Sequence, residues 1–528
     1  MADNRIMGNI VVVNGVNLTP YALEELLPGT GEGSLDWALK LGASLPGVEK
    51  KYLLLGDGGE GRDLPEAEKA RRWGYLPVFR GRWTWGEFFG VLDELKGGGT
   101  QVFYLQGDAP LVCRDICLEM YEAHLKYFAQ YSFADGYPRG MAPEILSASI
   151  LPALKAAASA PPEIRSAPEE EAPEEPLLGP GTVFDLISRD INNYDLETRL
   201  SPRDLRLLRL CLTADTYSHL SLVKEIIRRN GRDEASILRI VEEAPEILRT
   251  FPAYVEVQIT DGVLQLPGYL PAWPGVKTPD KGPPAFISPD DFSRLIDRVA
   301  AYSREGVINL GFRGEPSLHP RTAELADRVL RHPGLSLLIE TSGLGWQAPA
   351  LSQMAALDTR RMDWIVLLDA PDEPSYRRIR GEGFAEAAGC AERLRELFPR
   401  RVWVQAVRLK DEEETLEAFY RRWSGLTKNV IIQKYDDYCG RLPSRKVVDL
   451  SPLKRFPCWS LKRDLPVLLD GTVLLCREEL ENPRILGNLL QEEPEVIWQR
   501  GEGIYREHLR GNYPGLCGNC DEYYTFNY

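Results

Sequence analysis

From Ala253 onward the sequence alternates regularly between short apolar runs and amphipathic stretches, and this alternation limits the folds open to it. The apolar runs are YVEVQI from Tyr254, VINLGF from Val307, LSLLIET from Leu335, WIVLLDA from Trp364, RVWVQAV from Arg401 and NVIIQKY from Asn429. Helical patterns separate them, among them SPDDFSRLIDRVAAYSRE with Ser288 or Asp290 as its cap, TAELADRVLRH, FAEAAGCAERLRELF and EEETLEAFYRRW. Strands separated by helices pair in parallel through right-handed crossovers. Six such units predict an open or partial barrel, with its chemistry at the carboxyl ends of the strands.

The first 156 residues show the same α/β alternation, in NIVVV from Asn9, KYLLLG from Lys51, QVFYLQG from Gln101 and YSFADG from Tyr131. Residues 157–182 are rich in Ala, Pro and Glu and read as a disordered linker. Residues 183–250 turn helical and read as a small module joining the halves. The barrel is expected over 251–450, and a short cysteine-bearing segment over 451–528, too small to rely on a core of its own.

At 528 residues with 44% hydrophobic content, the chain has material for several cores, and its formal charge of −15 argues against nucleic acid or an anionic membrane as partner. No signal peptide is read at the start and no run of about 18 apolar residues occurs, so a cytoplasmic location is expected. Nine cysteines in such a chain are better read as thiols or metal ligands than as a disulfide framework.

Four of them fall late: Cys458, Cys476, and the pair Cys517 and Cys520 in YPGLCGNCDEYY. LLDGTVLLC reads as a hairpin turning at Asp470–Gly471. A hairpin with one thiol, next to a C-x-x-C turn with two, suits a soft metal centre, either Zn²⁺ or an iron–sulfur cluster. Cys113, Cys117, Cys211, Cys390 and Cys439 read as core filler.

The order Cys458, Gly471, Cys476, LGN at 486–488, Ile497–Trp498 and C-x-x-C resembles a SPASM domain, the iron–sulfur module that follows radical SAM barrels. That resemblance implies one auxiliary [4Fe–4S] cluster on Cys458, Cys476, Cys517 and Cys520, with zinc as the rival metal. The likeness extends upstream. GFRGEPSLHP resembles the segment in which Gly314, Glu315 and Pro316 would meet the amino group of S-adenosylmethionine. IETSGLGW resembles the one that lines the ribose and carboxylate side through Glu340, Thr341 and Ser342, and Asp369 in LLDAPDEPSYRRIRG would stand at the pocket mouth.

Radical SAM chemistry requires three thiolates in a C-x3-C-x2-C loop after the first barrel strand. Here VLQLPGYLP occupies that loop, and the three positions are Val263, Pro267 and Leu270, none with a lone pair for iron. The nearest donors, Asp261 and Gln265, are hard oxygen ligands. The scaffold is expected without its reductive cluster, which puts S-adenosylmethionine cleavage, and with it catalysis, in question.

Over nearly its whole length the chain resembles the spiro-SPASM family, through SPRDLRLLRL, GEPSLHP, IETSGLGW, VIIQKYDDYCGRLP, RFPCWSLKRD and CDEYYTFNY. The resemblance implies a nucleotidyltransferase-like α/β domain, a partial (β/α)6 radical SAM-like barrel and a small C-terminal SPASM domain. In the first of these, Asp108 in YLQGDAPLV is a candidate Mg²⁺ ligand with Asp135 as a second, yet the loop from Asn14 to Gly29 contains no Lys or Arg for phosphate.

The reading that follows is an iron–sulfur protein whose SAM-cleaving site is degenerate, with a peptide or protein substrate or an electron-transfer partner. Its rivals are an active radical SAM enzyme with unusual ligands, a zinc-stapled binding or scaffold protein, and a nucleotidyltransferase. The tail aromatics Tyr523, Tyr524, Phe526 and Tyr528 read as lid packing.

Overall fold

The computed structural model describes residues 8–56, 64–98, 100–159, 175–203, 205–448 and 451–524, in two compact units, Met1–Thr250 and Phe251–Tyr528. Phe526 and Tyr528 lie outside the described residues, as does the middle of the expected linker.

The first unit is built on a seven-stranded sheet. In chain order its strands are β1 (Asn9–Asn14), β2 (Val48–Gly56), β3 (Leu76–Arg80), β4 (Gln101–Gln106), β5 (Tyr131–Asp135), β6 (Glu144–Ser147) and β7 (Leu196–Leu200). Spatially they run β3-β2-β1-β4-β6-β5-β7, with β6 antiparallel to both neighbours and the other pairs parallel. NIVVVN of β1 is buried along its whole length because helices cover both faces. Val11 and Val13 point into one core with Leu35, Ile116 and Val223, while Ile10 and Val12 point into the other with Phe88, Leu151 and Val183.

The structure differs from the linker and module boundaries read from sequence. Helix Leu151–Ser159 runs into the expected linker. At its far end Leu178 is buried and donates its amide to the Trp83 carbonyl (2.9 Å), while Trp85 donates to the Pro176 carbonyl (2.9 Å). Residues 183–250 do not stand apart. β7 pairs with β5, and the helices Tyr217–Arg228 and Glu234–Glu243 bury Val223, Ile226, Ile237 and Ile240 in the core beneath β1. Amphipathic helices this short need a partner face, and the sheet supplies it.

In the second unit the alternation yields six parallel strands in consecutive order: β8 (Tyr254–Val257), β9 (Gly306–Asn309), β10 (Leu335–Thr341), β11 (Met362–Leu367), β12 (Val402–Arg408) and β13 (Val430–Lys434). Helices Pro289–Ser303, Thr322–Leu330, Ala348–Ala355, Phe384–Leu397 and Glu413–Ser424 cover one face. Ser288, not Asp290, caps the first of these, accepting from the Asp291 amide at 3.0 Å. On the other face a thin apolar layer of Tyr254, Leu338 and Ile365 floors an open concavity. This is a partial barrel.

The cysteine-bearing segment does not form a body of its own. Its strand β14 (Asp464–Val467) pairs in parallel with β8, in the register Asp464↔Tyr254 to Val467↔Val257. β15 (Thr472–Leu474) returns antiparallel and β16 (Ile485–Asn488) follows, so the barrel sheet has nine strands. The Asp-Gly turn lies where the sequence predicts, with the Thr472 amide on Asp470 Oδ1 (2.9 Å) and Gly471 at φ +83°. A Cβ at Gly471 would stand 2.8 Å from Leu490 Cγ. Gly471→Ala should therefore cost about 1–3 kcal/mol, from the left-handed backbone and the overpacking together. Chemical denaturation checks this, and an unshifted midpoint would show the turn to be unconstrained.

Candidate functional site

Three short elements deliver the late cysteines. Cys458 caps the helix Trp459–Arg463, Cys476 follows β15, and Cys517 and Cys520 lie at the 3-10 turn Gly515–Gly518. The tail is pinned in place from several sides. Arg455 donates to the Cys517 and Gly518 carbonyls and lies 4.0 Å over the Tyr513 ring and 4.6 Å over Tyr523. Lys434, at the end of β13, holds Asp521 (3.2 Å) and Glu522, and Trp459 donates its amide to the Tyr523 carbonyl (3.2 Å).

The four thiols feel one another. Burial pushes Cys458 up to about 12, and Cys520 and Cys517 push it further in the same direction. Cys476 is driven well above the usual thiol range by burial, then by Glu478, Cys458 and Cys520. Cys517 is raised by burial, whereas Cys520 is lowered, chiefly by a hydrogen bond from Cys439. Donors are aimed at the sulfurs: Glu478 N at Cys476 Sγ (3.5 Å), Glu522 N at Cys520 Sγ (3.3 Å) and Arg484 Nη2 at Cys517 Sγ (3.8 Å). Such donors are weak partners for thiols and strong ones for metal-bound thiolates. An all-sulfur donor set of this kind fits a soft metal centre.

Cys439 does not fill a core. It sits in a left-handed turn with Tyr438 (φ +52°) and Gly440 (φ +82°), against Cys520. Nothing local in KYDDYCGRLP signals this, because Cys520 is far away in sequence. Cys113, Cys117 and Cys390 are buried in cores as expected.

The barrel segments divide. Glu315 is buried and fully engaged: Thr341 Oγ1 (2.6 Å), Ser342 N (2.9 Å), Ser342 Oγ (2.6 Å) and Ser317 N (3.3 Å) all donate to its carboxylate. Gly314 has no room for a side chain, since a Cβ would meet the Thr260 carbonyl at 2.1 Å. Gly314, Glu315, Pro316, Thr341 and Ser342 thus brace one another between β9 and β10, and of the six expected pocket residues it is Glu340 that lines the cavity.

That cavity measures about 660 Å³ and carries both signs of charge, with Glu340 set against Arg313, Arg477 and Lys434. Arg477 Nη1 reaches the buried Glu256 Oε1 at 2.8 Å. Burial raises the Glu256 carboxyl to about 7, and lifts Glu478 well above the carboxylate range with Asp436 adding to the effect.

The loop after β8 is occupied by hydrocarbon and a buried ion pair. Val263 and Pro267 are buried, and Leu270 packs on the main core. Tyr269 donates its hydroxyl to Asp369, and Arg380 Nη1 reaches both Tyr269 Oη (2.6 Å) and Asp369 Oδ2 (2.5 Å). Asp369 is therefore buried inside this network and not free at a pocket mouth. The nearby oxygen donors are also taken. Asp261 accepts from Ala285 N (2.7 Å) and pairs with Lys277 (3.1 Å), and Gln265 Oε1 accepts from Tyr376 Oη (3.0 Å). These residues offer no thiolate for a site-differentiated cluster.

In the first unit Asp108 follows β4, and its carboxyl is raised to about 6 by burial and then by Asp215. Arg139 supplies a cation near Asp108 that the loop after β1 lacks. Asp135 is engaged with the Gly136 amide (2.8 Å) and Arg206 (3.4 Å).

Residues 458–521 match the family model of SPASM, an iron–sulfur cluster-binding domain. An uncharacterised protein of Treponema pallidum is 37% identical over 360 residues, 66% of this chain and 98% of that protein. The chain belongs to that protein's family. It carries a SPASM domain at 458–521. Solved structures similar to parts of the chain include BtrN in complex with AdoMet and 2-DOIA, 16% identical over 52% of this chain and 94% of that one, with a TM-score of 0.36. Streptococcus suis SuiB bound to precursor peptide SuiA is 11% identical over 56% and 82%, with a TM-score of 0.40. A cytidylyltransferase from Leptospira borgpetersenii is 20% identical over 46% and 95%, with a TM-score of 0.35.

The barrel-mouth ion pair has a direct test. Asp369 and Arg380 side chains are each 2% exposed. Arg380→Met should cost about 3–5 kcal/mol by stranding a buried carboxylate. Adding Asp369→Asn, which keeps an acceptor for the Val407 amide (2.8 Å), should recover much of that loss. Urea midpoints decide it, and a neutral single variant would show that the pair does not hold the loop.

Proposed function

We propose that this protein holds one [4Fe–4S] cluster on Cys458, Cys476, Cys517 and Cys520, and that its barrel is a binding cavity without reductive SAM chemistry. The nest of four thiols, approached by backbone and guanidinium donors, carries this reading. A bound cluster would supply an electron store and a cross-link that ties the tail to the hairpin. The rest is done by the chain itself. Glu478 N, Glu522 N and Arg484 support the sulfurs, and Lys434 neutralises the acids beside Cys520.

The cavity's mixed charges suit a zwitterionic ligand of the amino-acid or peptide class. Arg313 and Arg477 would face its carboxylate, Glu340 its ammonium, and Tyr269 and Tyr438 its apolar part. Membership in the spiro-SPASM family and a nucleotidyltransferase-like first unit belong to the same reading, as does a reducing, cytoplasmic setting for nine thiols. Among the described residues no helix is long and apolar enough to cross a membrane.

Anaerobic purification tests the proposal. Brown protein with about four irons and four sulfides per chain, making no 5′-deoxyadenosine from S-adenosylmethionine under reduction, is the expected outcome. Cys517→Ala should lose most of the iron and lower the melting temperature. Colourless protein with a single zinc would overturn the cluster assignment. Twice the iron together with 5′-deoxyadenosine would overturn the inactive barrel.

A further inference from the structure

The first unit brings a second set of metal-type donors together, independent of the thiol nest. Cys211, Asp215 and His219 follow one another at four-residue intervals, and a sulfur, a carboxylate oxygen and a ring nitrogen from them lie within 4.8 Å of one another. Local structure holds each donor. Thr216 caps the helix Tyr217–Arg228 by accepting from the His219 amide (3.1 Å), which sets His219 in the first turn and Asp215 just before the cap. Cys211 bridges to Arg139, and Leu212 donates its amide to the Arg139 carbonyl (2.8 Å).

A second ring of partners orients the donors. Thr213 Oγ1 donates to Asp215 Oδ1 (2.6 Å) and meets Cys211 Sγ at 3.1 Å, and Arg139 Nη2 holds Thr213 Oγ1 (3.0 Å) and Asp215 Oδ2. His219 Nδ1 lies 2.8 Å from Asp215 Oδ1. This is the support that metal-ligating carboxylates and imidazoles receive from neighbouring groups.

The position also points to a ligand. Ala214 donates its amide to the Asp108 carbonyl (2.7 Å), which fixes the cluster beside the carboxyl end of β4. The helices that follow β1 and β4, Ser34–Ala43 and Arg114–Lys126, lie on one face of the sheet, in the same core as the helix Tyr217–Arg228. In open α/β sheets ligands gather at the carboxyl ends of the strands. His219 and Asp215 side chains remain about one-third exposed, so an ion in solution can reach them.

We propose that Cys211, Asp215 and His219 bind one divalent transition ion of the zinc type beside the carboxyl end of β4, leaving a coordination position open for an exogenous ligand. A sulfur, nitrogen and oxygen set selects a borderline ion, whereas Mg²⁺ selects oxygen alone. Three protein ligands with an open fourth position give Lewis-acid geometry, with Arg139 engaged in holding Asp215 in place.

The test uses the full chain with its iron–sulfur site filled, chelator-treated, and iron counted in every sample. Co²⁺ should bind one equivalent beyond the iron, with a thiolate-to-cobalt charge-transfer band in the near ultraviolet. Cys211→Ser should abolish that band, and His219→Ala should weaken Co²⁺ binding by about 10–100-fold, with iron and circular dichroism unchanged. Three results would overturn the proposal. They are no cobalt binding above the Cys211→Ser level, bound cobalt without the thiolate band, or equal competition by Mg²⁺ at equal concentration.

Discussion

The parallel pairing of β14 with β8 is the contact on which the second unit depends. β8 opens the barrel and β14 opens the hairpin that carries Cys476. One ladder therefore sets both the edge of the cavity and the position of the thiols. Without it, a short cysteine-rich tail would have to close on its metal alone. With it, Leu465, Val467 and Val473 join the barrel's main core, and Gln258 donates its amide to the Val467 carbonyl (2.9 Å) just beyond the ladder.

That same edge explains the character of the cavity. Glu256 on β8 and Arg477 after β15 form a buried pair across the join. Buried charges are costly unless matched, and here the partner arrives from the hairpin. The opposite side of the mouth is closed by Tyr269, Asp369 and Arg380. Val263, Pro267 and Leu270 offer no lone pair to iron, and Tyr269 joins the buried Asp369–Arg380 pair. The Gly-Glu-Pro segment keeps its shape because Glu315 braces β9 against β10, a structural task that does not require S-adenosylmethionine.

Six barrel strands, a helix start at Ser288 or Asp290 and the Asp-Gly hairpin were legible in the sequence because each is a local pattern: apolar runs, a capping residue before a helix, a turn dipeptide. The pairing of β14 with β8 was not legible, since LPVLL says strand without saying beside what. The same holds for Asp369 with Tyr269, and for Cys439 with Cys520, where contact depends on loops brought together by the fold. β7 was hidden in a helical stretch because LETRL is a weak, half-exposed strand. Cys211, Asp215 and His219 share a short segment, yet they read as scattered core and helix start until Arg139 is placed among them.

The central claim is that sulfur is supplied in the tail and withheld from the barrel. Mössbauer spectroscopy of ⁵⁷Fe-enriched, anaerobically purified protein, with and without S-adenosylmethionine, tests it most directly. The account predicts a single cubane in which every iron has a thiolate ligand, unchanged by S-adenosylmethionine. A distinct iron site that shifts when S-adenosylmethionine is added would contradict it.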